Sequence, residues 1–119
     1  VPTNTPLQAF VTLNDPVYVE AAQALARRIM KSSYSNTKQR IRWALELCLA
    51  RPVDDAQVAP LQTLFDSEIA RYQQSPDEAK KLATDPLGPL PDGLDPAEAA
   101  AWTSVANVLL NMDGVLMKN

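Results

Sequence analysis

Apolar residues recur along this chain at helical spacing, and no stretch alternates apolar and polar positions as a half-buried strand would. The cleanest stripe is Ile41, Ala44, Leu45, Cys48 and Leu49, at i, i+3, i+4, i+7 and i+8. It predicts an amphipathic helix over residues 37–50. Tyr18, Ala22, Leu25 and Ile29 mark the buried face of a helix before it, over 16–31. Val58, Leu61, Phe65, Ile69 and Tyr72 do the same for a helix that follows, reaching about residue 74. In the last helix, predicted over 96–112, Trp102, Val105, Ala106, Leu109 and Met112 form one face, while Ala101, Val108 and Leu110 make the other faces apolar. A helix apolar on most sides is buried on most sides, so this one is expected at the centre of a bundle.

Prolines set the boundaries. Thr5-Pro6, Asp15-Pro16, Ser75-Pro76 and Asp95-Pro96 each place a capping residue before a proline. Proline at the first helical position lacks an N–H that would be unpaired there anyway. These pairs predict a short helix over 6–13, another over 76–83, and the starts at residues 16 and 96. Ser75 with Glu78, and Asp95 with Glu98, have capping-box spacing. Asp54 or Asp55 is expected to cap the helix before Val58. Pro60, just beyond its first turn, predicts an irregular start or a slight bend. Residues 32–36 read as a polar turn and Pro52 as a stop. Residues 85–94 hold Pro86, Pro89, Pro91, Gly88 and Gly93 and read as an ordered surface loop that Leu87, Leu90 and Leu94 pin to the core. The expected fold is all-α, a compact bundle of five or six helices with a buried carboxy-terminal helix and a Pro-rich loop at about 85–95.

Composition narrows the chemistry. The chain has 119 residues, 46% of them hydrophobic, with no histidine and one cysteine. That is one domain by length, with enough residues for one core. Without histidine there is no Ser-His-Asp or Cys-His site. The C-x-x-C-H haem attachment signature is missing, a closed zinc site lacks its ligands, and a single thiol forms no disulfide within the chain. No catalytic residue, metal or cofactor is therefore expected. Acids outnumber bases 14 to 11, which weighs against a general nucleic-acid binder. The charge is unevenly spread. Residues 27–51 hold seven bases against Glu46 alone, and residues 52–101 hold ten acids against Arg71, Lys80 and Lys81. The expected reading is that these stretches face each other or lie in solvent; the other is a basic partner-binding patch. The basic helix over 37–50 follows another helix, as in a helix-turn-helix, but the turn between them is too long and polar. No apolar run approaches the ~20 residues of a membrane span. Val1 is not an initiator methionine, and the chain reads as a processed or excised piece.

Three stretches carry a family resemblance. The first is Thr3-Asn4-Thr5-Pro6-Leu7-Gln8-Ala9-Phe10, continuing to Leu13-Asn14-Asp15-Pro16 and Val19-Glu20-Ala21-Ala22. The second is Arg40-Ile41-Arg42-Trp43-Ala44, with Arg51-Pro52 following. The third runs from Ala101-Trp102 to Met112-Asp113. In order and spacing they resemble the carboxy-terminal end of the planctomycete-specific domain family of unknown function numbered 1553, over nearly the whole chain. The resemblance implies that residues 1–119 are a single helical domain that forms the last portion of a longer one. It also implies a large exported parent protein, often with a cytochrome-c-like domain upstream, and hence an extracytoplasmic setting. It implies no established activity and no catalytic residues. Where the family ends on an acidic residue before its final apolar pair, this chain has Gly114.

The most specific polar residues in the match are Asn4, Thr5, Gln8, Asn14 and Asp15. They read either as helix caps and turn formers or as a small ligand-binding site. Trp43 and Trp102 both read as core or subdomain-contact residues; Trp43, off the main stripe of its helix, is the better of the two for stacking on a sugar. Asp92, Asp95 and Glu98 surround the Pro-rich loop, but their spacing matches no complete calcium loop. Asp66 with Glu68, and Asp77 with Glu78, read as solvated neighbours rather than a glycosidase pair. Cys48 reads as a buried structural thiol. The expected role is a non-catalytic structural or interaction module. The alternative is part of a composite ligand-binding or active site, completed by the upstream region of the same parent protein and turned toward polysaccharide. The expected partners are that upstream region and, in a third reading, carbohydrate at Trp43. A domain cut from its other part should also leave an apolar patch uncovered, near the first helix or around Trp43.

Overall fold

The computed structural model describes residues 16–118, with side chains described for residues 19–112. In them the chain forms five helices: α1 (Pro16–Met30), α2 (Thr37–Leu49), α3 (Asp55–Gln73), α4 (Pro76–Thr84) and α5 (Pro96–Lys118). The helix expected over 6–13 lies outside the described residues.

The helix starts show which capping signals act. Asp54 accepts from the N–H of Gln57, and the Gln57 side chain accepts from the N–H of Asp54, a complete capping box on α3. The box anchors the first turn, so α3 has no irregular start and is helical from Asp55 with Pro60 inside it. Asn36 caps α2 through the N–H of Gln39. Asp95 accepts from the N–H of Glu98 at 2.9 Å, but the Glu98 carboxylate does not reach back. It turns to Arg40 and to the indole N–H of Trp102. The expected box at Ser75 does not form; the residue makes no side-chain cap bond. Capping needs an extended backbone, and Ser75 is held at ψ 70° by the tight junction in which its N–H bonds the carbonyl of Tyr72. At the other end of the chain, α5 continues to Lys118, past the expected stop near Met112. Gly114 weakens a helix by about 1 kcal/mol relative to alanine but keeps its N–H, so it does not end one.

The last helix is central. α5 packs against all four of the others. Its buried face includes Ala97, Ala99, Ala100 and Ala101, whose small side chains let neighbouring helices approach closely. Trp102, Val105, Ala106 and Leu109 are fully buried with Ile29, Ile41 and Leu45. The Trp102 ring stands 4.4 Å from that of Phe65, tilted by 41°, the offset contact that aromatic quadrupoles favour. The radius of gyration is 13.4 Å, close to the ~13 Å of a compact unit of about 100 residues.

Two side chains one turn apart on α1 secure the Pro-rich loop. The Gln23 carboxamide donates to the carbonyls of Leu82 and Asp85 and accepts from the N–H of Leu87. The Arg27 guanidinium donates to the carbonyls of Ala83 and Gly88. Leu90 and Leu94 pack on the core, whereas Leu87 is tied by its N–H. Gly88 and Gly93 have φ of +125° and +89°, backbone that side chains rarely adopt.

Candidate functional site

Of the residues singled out for binding, Asn4, Gln8, Asn14 and Asp15 lie outside the described residues. Trp43 is described, and its surroundings form the candidate site. It lies off the buried stripe of Ile41, Ala44 and Leu45, half-buried, with part of its ring against the edge of the core. Tyr34, in the turn before α2, approaches it with ring centroids 6.5 Å apart and planes tilted by 43°. Leu47 follows one turn later on the same face of the helix. Tyr34 and Leu47 are the large apolar side chains most open to water among the described residues, at 40% and 42%. Sequence patterning did not single them out, because an apolar residue off the stripe looks like noise until a neighbour from another element joins it.

Beside Trp43 lies an open hollow of about 480 Å³, lined by Ala24, Arg27, Arg28, Lys31, Ser32 and Trp43. The Arg28 guanidinium sits over the Trp43 ring, 5.8 Å from its centre. Burial lowers the pKa of Arg27, because desolvation penalises its charge. Among the described residues, no acid lines this hollow.

The charge pairing divides the basic stretch in two. Arg40 bridges to Glu98 at 3.2 Å, while Arg42 and Lys38 both reach Asp55. These three face the acidic stretch, as the first sequence reading expects. Arg27, Arg28 and Lys31 take part in none of the ion pairs among the described residues. Among the described residues, positive charge without a carboxylate partner therefore collects on one side of Trp43.

The remaining candidates are structural. Trp102 is fully buried, as expected. Cys48 is half-buried against the core rather than fully buried, since it stands near the end of α2 where the stripe runs out to solvent. Asp95 is spent on capping and Glu98 on Arg40 and Trp102. No group of three ligating side chains for a metal occurs among the described residues. Glu68 is not solvated with Asp66; its carboxylate, 13% exposed, accepts from the Ser104 hydroxyl at 2.7 Å and pairs with Arg71. A second hollow, of about 370 Å³, lies between Tyr72, Pro76, Lys80 and Asp95. Two buried polar residues of α5 escaped the sequence reading, Thr103 and Asn107. Thr103 bonds back to the carbonyl of Ala99, while the Asn107 Nδ2 has no hydrogen-bond partner among the described residues. Among the described residues no helix is long and apolar enough to cross a membrane.

A family model described as PSD1, protein of unknown function (DUF1553), matches residues 1–65. The matched span holds the first two of the three stretches that carry the resemblance, together with α1, α2 and Trp43. No curated protein and no solved structure matches the chain.

Proposed function

The chain belongs to that family, PSD1 or DUF1553, and from this premise we propose that it acts as a non-catalytic helical interaction module of a large exported protein, docking through the outer face of α2. The observation that carries this reading is the exposure of Leu47 and Tyr34 on either side of Trp43. Water-facing apolar and aromatic side chains gathered on one face are what a partner surface uses, with tryptophan and tyrosine as anchors. The absence of histidine supports a role without acid–base chemistry near neutral pH. The extracytoplasmic setting, the planctomycete source and the cytochrome-c-associated parent rest on the sequence resemblance. In this reading the occupant of the face is the upstream part of the same parent protein.

Sugar stacking at Trp43 is less well supported. A sugar needs an open ring face, and Arg28 covers one face of Trp43 while Tyr34 leans on the ring.

A photo-crosslinking residue placed at Leu47 of the intact parent protein tests the proposal. A single major crosslink to a segment upstream of this chain is the expected result. Labelling by water alone, with no crosslinked segment, would overturn it.

A further inference from the structure

Resting on that reading, we infer that the segment docking on the outer face of α2 is an acidic stretch of protein built around an apolar anchor, its carboxylates seated at Arg28 and Lys31 and its apolar side chain against Leu47 and Trp43. The argument is one of complementarity. Three of the bases between residues 27 and 42, namely Lys38, Arg40 and Arg42, are already paired with acids from α3 and α5. The other three line one hollow, and among the described residues no acid lines it with them. Arg28 and Lys31 are exposed, so their donors are open to an incoming group. Arg27 contributes positive field more than contacts, because its Nη2 is spent on the carbonyls of Ala83 and Gly88 and its Nε is buried out of reach.

The described acids nearest in sequence lie away from the hollow or are turned from it. On α1, Glu20 lies two turns before Arg27 and outside the lining. On α2, the Glu46 carboxylate is turned away to accept from the N–H of Val53. Ser32 donates its hydroxyl proton to the carbonyl of Ile29, leaving its oxygen no proton for an anion. Recognition of the anion therefore falls to Arg28 and Lys31.

The apolar half of the face selects protein over a sulfated or carboxylated glycan. Leu47 is aliphatic, has no ring to stack on, and lies one turn along from Trp43. A polyanionic sugar would engage Arg28 and Lys31 and gain nothing from Leu47. A peptide with an aliphatic or aromatic side chain beside its acids would use both halves, which is how charge sets register while a buried apolar contact supplies affinity.

A random-peptide display library selected against this chain, followed by binding of the selected peptides in solution, tests the inference. The expected sequences carry Asp or Glu flanking Leu, Phe or Trp. Their affinity should fall by roughly tenfold for Arg28→Glu with Lys31→Glu and by a similar factor for Leu47→Ser. All three substitutions lie on exposed side chains, and an unchanged thermal melt checks the fold. Selected peptides without acids, or with affinity unmoved by charge reversal, would overturn the acidic partner. So would a heparin oligosaccharide that binds as tightly as the peptides and ignores Leu47→Ser, or a library that yields no binder. The crosslink from position 47 does not depend on charge, so docking can stand where the acidic chemistry fails.

Discussion

Gln23 is 1% exposed and uses both ends of its carboxamide, with two carbonyls on one side and the N–H of Leu87 on the other. Gln23→Leu keeps the bulk and strands those three backbone groups out of water. The expected loss is about 2–4 kcal/mol in urea unfolding, since each stranded polar group costs roughly 1–3 kcal/mol. A loss under about 0.5 kcal/mol would mean that water replaces the carboxamide. Tyr72 gives a pH signature. Burial raises its pKa above the usual value near 10, Arg71 opposes the shift, and Glu68 and Glu78 add to it. The folded state holds the phenol proton more tightly than the unfolded state. The stability from this group is therefore complete below about pH 10 and is lost as pH climbs from there through the folded value. Tyr72→Phe should remove that part of the alkaline decline. Identical alkaline slopes for the two proteins would contradict the assignment.

Among the elements, the ends of the helices separate what the chain signals from what it uses. Asp54→Ala should cost about 1 kcal/mol, because it breaks a capping box, whereas Ser75→Ala should stay within about 0.5 kcal/mol, because Ser75 caps nothing. Equal effects in chemical denaturation would contradict that difference. Ala50 ends α2 at φ 57°, in left-handed backbone that glycine enters without steric cost. Ala50→Gly should thus stabilise the chain by about 1 kcal/mol, despite glycine's greater freedom when unfolded. The same elements show what patterning reads well. Periodicity located four of the five described helices, because burial of a stripe repeats every turn and survives local irregularity, and the cap-then-proline pair at Ser75-Pro76 located the short α4. It misread Ser75, because capping depends on backbone angles set by the neighbouring helix rather than on residue type. It passed over Gln23 and Arg27, whose partners lie about sixty residues away and leave no local trace. It marked Trp43 as a residue off the stripe but not the face around it. Tyr34 and Leu47 acquire meaning only once the turn and the helix are folded together.

For the molecule as a whole, paired and unpaired basic charge lie in different places. Ion pairs knit α2 to α3 and α5, while the end of α1 keeps positive charge unpaired among the described residues, beside exposed aromatic and aliphatic groups. The central claim is that this face is covered in the working protein. Calorimetric titration of the upstream part of the parent, expressed as a separate folded chain, into this one tests it most directly. The account predicts binding with a clearly negative heat-capacity change, the mark of apolar burial, and loss of that binding in Leu47→Glu. No heat from two folded chains, or binding indifferent to Leu47→Glu, would contradict it.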